Sequence, residues 1–218
     1  MKKEEHGNPS KNAQIEEFLS TRYEFRYNTV LHRAEYRPRG TDDYTAIDRY
    51  CINTRKRALD KEADVQTSPE NLYSIIESDF SPRINPVQAY FHSLPIMEEA
   101  KKGAITALTN CVSVANPEKW REYLTKWLVA VVANAMDNKQ CRNHTCLVLT
   151  GDQGKFKTTF LDLLCPPSLS DYRYTGKIYP QEKDVLSLIG QNLIINIDDQ
   201  LKALNKRDEN ELKNLITC

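Results

Sequence analysis

The chain has 218 residues, of which 40% are hydrophobic and 28% are charged, and its formal net charge is zero. This length allows one substantial domain or two small ones with a buried core, while the balanced charge neither supports nor excludes a polyanionic partner. No apolar stretch approaches the roughly 20 residues of a membrane span, and the charged first residues lack the apolar region of a secretory signal. We therefore expect a cytoplasmic protein with no membrane partner.

The six cysteines form no C-x-x-C pair and no cluster with histidine at the spacing of metal ligands. Such a distribution is typical of unpaired thiols in a reducing compartment. It favours neither a disulfide framework nor a structural zinc site.

Residues 1–80 predict an N-terminal module made of a short helix, a β-hairpin and two further helices. Aromatic and charged side chains alternate over 22–28, as in a strand, and a second strand is predicted at 34–37. The last helix should begin at Ser68-Pro69, an N-cap followed by proline at the first helical position. Two prolines within 81–86 indicate a linker that ends the module.

Basic and aromatic residues interleave between Arg22 and Arg57, where nine basic and five acidic residues leave a local charge of +4. This mixture suits the binding of single-stranded nucleic acid through phosphate contacts and base stacking. It equally suits a hairpin with one solvated charged face and one aromatic face in the core. The second interpretation is the more common one, and the sequence leaves both open.

Residues 81–140 predict a helical segment whose clearest helix begins at Asn116-Pro117. Apolar residues recur there at steps of three and four and form one broad face. These residues are Trp120, Leu124, Trp127, Leu128, Val131 and Ala135. Two tryptophans on such a face are more often core than a platform for a ligand.

The segment 145–166 has the order of a phosphate-binding P-loop. An apolar run at 146–149 predicts a buried strand, a loop with two glycines follows, and a helical pattern comes next. The loop departs from the usual pattern at Phe156, where glycine is expected before the lysine. The residues predicted to bind the nucleotide are Gly151, Asp152, Gln153, Gly154, Lys155, Phe156, Lys157, Thr158 and Thr159.

The chemistry of this loop follows from the charge of a triphosphate. Successive backbone amides and the positive end of a helix bind its oxygens, which glycines allow the main chain to approach. Lys157 would reach the β- and γ-phosphates of ATP as a catalytic cation, and the Thr158 hydroxyl would coordinate Mg²⁺.

A further apolar strand, predicted at 192–199, ends in Asp198 and Asp199. A carboxylate at a strand end can hold Mg²⁺, and an adjacent acid can orient and deprotonate the attacking water. We assign these roles to Asp198 and Asp199 in that order. The fold expected from these elements is α/β, with a helical N-terminal and middle region followed by an incomplete P-loop NTPase core at 141–218.

Five segments together resemble the virulence-associated protein E family. They are the strand at 22–28 and the segments 85–95, 127–133, 151–158 and 195–199. The resemblance implies a P-loop ATPase similar to superfamily 3 helicases, encoded by phages and mobile islands and often found beside or fused to primases. It also implies DNA-dependent ATP hydrolysis within a homo-oligomeric ring. Asp199 departs from the family, where glutamate is common.

Two alternatives stay open beside this helicase-like ATPase. The chain ends soon after the acid pair, so a sensor strand and an arginine finger have no room, and we expect a truncated form. A non-catalytic DNA-binding module with a degenerate loop is one alternative. A P-loop phosphotransferase is the other.

Overall fold

The computed structural model describes residues 9–96, 103–137, 145–197 and 210–214. The chain divides into two compact units, Met1–Pro86 and Val87–Cys218, and both contain helices and strands. The prediction of a mixed α/β protein is confirmed. The finer division at residues 80 and 140 stays a prediction.

The first unit is built on a four-stranded sheet with the strand order β3–β2–β1–β4. Its elements are α1 (Lys11–Arg22), β1 (Tyr23–Asn28), β2 (Arg33–Pro38), β3 (Thr45–Ala46), α2 (Arg49–Glu62), α3 (Pro69–Ile76) and β4 (Arg83–Ile84). β1 and β2 form the predicted antiparallel hairpin, in which Phe25 lies opposite Tyr36. The Ser68 side chain accepts a hydrogen bond of 3.1 Å from the amide of Asn71, which confirms the predicted cap of α3.

The segment 81–86 belongs to this sheet, so the prediction of a linker there is wrong. β4 pairs in parallel with β1, and the carbonyl oxygens of Pro82 and Ile84 accept hydrogen bonds of 2.9 Å from the amides of Tyr27 and Thr29. Proline lacks only the amide donor, so its carbonyl can still bind a neighbouring strand. A strand of two residues is too short to produce a periodic pattern.

The core of the first unit lies between the helices and one face of the hairpin. Its buried members are Ile15, Phe18, Leu19, Phe25, Ala34, Ile52, Leu59, Val65, Leu72, Ile75 and Ile76. Tyr23 and Tyr36 pack against this cluster, and the guanidinium of buried Arg55 lies over both rings, 4.6 and 4.0 Å from their centres. Much of the aromatic content of residues 22–57 is therefore core, as in the second interpretation of that segment.

The second unit contains helices and a two-stranded parallel sheet within its described residues. After α4 (Pro86–Ser93) at the boundary come α5 (Ala104–Asn110), α6 (Pro117–Met136), α7 (Lys157–Leu163), a 3-10 helix (Pro167–Tyr172), β5 (Arg173–Gly176), α8 (Val185–Gln191) and β6 (Ile194–Ile197). Residues 210–214 are also helical. In the part of the chain that the structure describes, no helix is both long and apolar enough to cross a membrane.

Helix α6 begins where its sequence predicts. The Asn116 side chain accepts a hydrogen bond of 3.0 Å from the amide of Lys119, and Pro117 is the first helical residue. Trp120 and Leu124 are buried, and the Trp120 indole donates to the carbonyl of Thr109 at 3.1 Å. This tryptophan is a core residue, as predicted, and its polar atom is satisfied inside the protein.

A buried carboxylate, Glu35, organises the other face of the hairpin. Its side chain is almost fully buried and accepts hydrogen bonds from Asn28 at 2.9 Å, Arg26 at 2.8 Å and Arg33 at 2.9 Å. Burial raises the pKa of the Glu35 carboxyl, but these donors outweigh burial and hold the pKa below its ordinary value. The ion pairs of Arg26 and Arg33 therefore depend on one charge.

We expect Glu35→Gln to lower the free energy of unfolding by about 1.5–3 kcal/mol at neutral pH, because it removes charged hydrogen bonds from a buried site. The folded pKa of Glu35 is depressed, so its contribution is complete above the ordinary value of 4.5 and is lost as the pH falls through the folded pKa. The variant should therefore have a shallower acid limb in urea unfolding followed by circular dichroism.

Glu24→Gln is the matched control, because Glu24 is also paired with hairpin arginines but its side chain is 32% exposed. An exposed ion pair contributes at most about 1 kcal/mol. Equal losses in the two variants would contradict the central role of Glu35.

Candidate functional site

The predicted phosphate-binding loop joins an irregular segment to α7. Residues 145–150 have no regular secondary structure, and Cys146 and Val148 are exposed, so the strand predicted at 146–149 is wrong. Within the described residues, the sheet of this unit consists of β5 and β6 alone. A short apolar run becomes a strand only when a neighbouring strand accepts its backbone hydrogen bonds.

The loop itself contains three residues with positive φ. Gly151 has a φ of 146° and Gly154 a φ of 78°, conformations that glycine adopts without steric penalty. Phe156 has a φ of 55° and a ψ of 26°, and its side chain is 78% exposed. The backbone at this departure from the usual pattern therefore takes a left-handed conformation that glycine would favour, at a steric cost of about 1–2 kcal/mol.

Lys157 is the first residue of α7 and folds back over the loop. Its Nζ donates to the carbonyl oxygens of Gly151 at 3.0 Å and Asp152 at 2.7 Å. Thr158 is partly buried, and its carbonyl accepts a bond of 3.3 Å from the Asn196 side chain. The other predicted contact residues, Asp152, Gln153, Gly154, Lys155 and Thr159, are exposed. The described predicted site residues thus lie on one continuous segment around the start of α7.

Asn196 joins this segment to β6. Its buried side-chain amide donates to Asp162 Oδ1 at 2.9 Å as well as to the carbonyl of Thr158. Asp162 Oδ1 also accepts from Thr175 Oγ1 of β5 at 2.6 Å. Two side chains therefore connect α7 to both strands of the parallel sheet.

Neither Asn196 nor Asp162 was among the predicted site residues. The sequence does carry a signal for the first, because Asn196 is the single polar residue of the strand Ile194–Ile197. A polar side chain in a buried strand needs a hydrogen-bond partner. For Asp162, the corresponding signal is an acid within an otherwise apolar helical run.

The parallel pairing of β5 and β6 brings their carboxyl ends to the same edge of the sheet. Tyr174 lies opposite Ile195, and Gly176 lies opposite Ile197. Asp198 and Asp199 follow Ile197 in the sequence and lie outside the described residues. Within the described ranges, no group of three or more His, Cys, Asp or Glu side chains is placed to hold a metal ion.

The second unit is of the mixed α/β class, with a glycine-containing loop before a helix that is joined to a parallel strand pair. The family model of the virulence-associated protein E-like domain matches residues 97–218, which is more than half of the chain. The chain belongs to this family, and membership indicates an association with phages and mobile elements. No curated protein matches the sequence.

We expect Phe156→Gly to be more stable than Phe156→Ala by about 1 kcal/mol in urea unfolding. Alanine keeps the Cβ that the left-handed conformation disfavours, while glycine does not, and both changes remove the same exposed ring.

Leu163 supplies the control, because it is 76% exposed and is the last helical residue of α7. The order of stability should reverse there, with Leu163→Ala above Leu163→Gly by roughly 0.5–1 kcal/mol. The same order at both positions would contradict the left-handed conformation of Phe156.

Proposed function

We propose that residues 151–159 bind the phosphates of ATP, and that the chain is a helicase-like P-loop ATPase acting on DNA in the replication of a phage or mobile element. One observation carries the proposal. Helix α7 begins at Lys157, directly after a loop with left-handed backbone, and is joined through Asn196 to the strand that leads into Asp198. A loop, a helix start and a strand end are the three parts of a nucleotide site.

Lys157 supports the proposal through the hydrogen bonds that its side chain makes to the loop. Its ammonium group donates to two neutral carbonyl oxygens, of Gly151 and Asp152. Phosphate oxygens are stronger acceptors because they are charged. Binding of ATP would therefore exchange two neutral hydrogen bonds for charge-assisted ones, using a side chain that already lies over the loop.

The roles of the remaining groups follow from the chemistry of Mg²⁺–ATP. Mg²⁺ supplies positive charge to the phosphates and accepts hard oxygen ligands. The Thr158 hydroxyl and the Asp198 carboxylate are the proposed metal ligands, and Asp199 is proposed to orient and deprotonate the attacking water. The space beside Gly151 and Gly154 is open to a phosphate, because only their chain neighbours could lie within 4 Å of a Cβ at either position.

Assembly into a homo-oligomeric ring and action beside a primase complete the proposal. Both come from the resemblance to helicase-like proteins. The irregular segment before the loop favours one rival, a DNA-binding module whose loop does not grip phosphate. ATP affinity separates the two.

We expect Lys157→Ala to weaken Mg²⁺–ATP binding by about tenfold to a hundredfold in calorimetric titration, because a charged hydrogen bond contributes about 1.5–3 kcal/mol. Lys183→Ala removes the same charge from an exposed position of the same unit outside the loop and should change the affinity by less than about threefold.

Circular dichroism and thermal unfolding of both variants would confirm that the fold is kept. Equal ATP affinity in the wild type and Lys157→Ala would overturn the assignment of this loop. Undetectable binding by the wild-type chain, with DNA binding retained, would favour the non-catalytic module.

A further inference from the structure

The cations of the first unit fall into two groups that differ in their partners. The arginines of the hairpin are neutralised, since Arg26 and Arg33 bind Glu35. Arg37 binds Glu24 with its Nε at 2.7 Å, and Arg39 lies 3.6 Å from the same carboxylate. These arginines already hold acidic partners, which would compete with a bound anion.

Helix α2 carries the second group. Arg49, Lys56, Arg57 and Lys61 are exposed, and among the described residues none of them makes a hydrogen bond or ion pair through its side chain. The opposite side of α2 faces the core through Ile52, Arg55 and Leu59. The four cations therefore share the solvent side of the helix, where the exposed Asp60 also lies.

The surroundings of this helix face are polar and concave. A groove of about 510 Å³ is lined by Asn53, Lys56, Arg57, Asp60, Gln66 and Thr67. Hydrogen bonds from the amide of Glu70 itself and from Ser68 lower the pKa of the Glu70 carboxyl, and the cations Arg49 and Lys56 lower it further. The field of α2 thus acts on anions beyond its own helix.

An exposed aromatic side chain lies on the same face. Tyr50 is 79% exposed and precedes Arg57 by seven residues, which is close to two helical turns. Its side chain makes no ring contact or hydrogen bond among the described residues. A large aromatic surface beside unpaired cations is the combination that binds unstacked bases together with their phosphates.

We propose that the exposed face of α2 binds single-stranded DNA, with Lys56 and Arg57 on the phosphates and Tyr50 stacked on a base. The groove amides of Asn53 and Gln66 add donors for phosphate and sugar oxygens. An acidic protein segment would use the cations but would leave the ring of Tyr50 without a stacking partner. The inference rests on the proposed function in taking DNA as the substrate, but the face belongs to the first unit, outside the matched family segment.

The test uses the full chain, without nucleotide, and the fluorescence anisotropy of a labelled oligothymidylate over a series of salt concentrations. The double variant Lys56→Ala/Arg57→Ala should bind roughly tenfold more weakly. Its logarithmic salt slope should fall by about 1.4, the value for two lost phosphate contacts on a single strand. Alanine keeps both positions helical.

Lys119→Ala/Arg121→Ala is the matched control, because it removes the same charge from two exposed positions of α6. It should change the affinity by less than about twofold and leave the salt slope as in the wild type. Tyr50→Ala should lose roughly tenfold in affinity with the salt slope kept, whereas Tyr50→Phe should retain the wild-type affinity, because stacking needs the ring and not the hydroxyl.

Equal losses in the two double variants, or no loss at Tyr50→Ala, would overturn the proposed surface. Tighter binding of an oligouridylate would assign the face to RNA and overturn the choice of DNA. If the chain binds ATP in a Lys157-dependent way but does not bind DNA, this inference alone is overturned. Retained DNA binding with no ATP binding would overturn the nucleotide site and leave the α2 surface standing.

Discussion

The side chain of Asn196 is the contact on which the candidate site depends. It is buried in β6 and uses its amide to bind both a backbone carbonyl and the Asp162 carboxylate of α7. A buried amide donor without a partner costs roughly 1–3 kcal/mol, so β6 and α7 are constrained to stay together. This constraint relates the start of α7 to the end of β6, and the proposed chemistry needs both.

Helix α7 depends on these polar contacts. None of its residues is buried, although the rings of Phe160 and Trp120 lie 6.0 Å apart and connect it to α6. Hydrogen bonds also hold it, including one from Arg173 to the carbonyl of Asp162 at 2.9 Å. Directional bonds therefore orient the loop together with this ring contact.

The first unit separates its charges by location. On the hairpin, Glu35 and Glu24 neutralise the arginines beside them, and the opposite face supplies aromatic rings to the core. Among the described residues, the exposed cations of α2 have no such partners. The count of +4 over residues 22–57 hides this difference, because a sum of charges carries no information on which charges are paired.

Predictions from local sequence patterns are confirmed where the structure depends on residues that are adjacent in the chain. Ser68-Pro69 and Asn116-Pro117 begin helices because capping needs only three or four adjacent residues. The alternation of aromatic and charged side chains over 22–28 likewise predicts a strand with one face in the core.

Long-range pairing explains the errors. The two residues of β4 become a strand only because β1 lies beside them, and the run at 146–149 stays irregular although its composition is that of a strand. At the candidate site, the sequence predicted the loop and Lys157 but not the contact between Asn196 and Asp162. These two residues bind each other across 34 residues of the chain, so no spacing rule connects them.

The left-handed conformation of Phe156 bears on how such loops are found. A search pattern that requires glycine before the lysine passes over this chain, although the backbone there is of the kind for which glycine is usually selected. The loop requires a positive φ at this position, and sequence patterns list glycine because glycine adopts a positive φ most easily. A search on backbone dihedral angles would find loops of this kind with a bulky residue at that position, whereas a search on residue types would miss them.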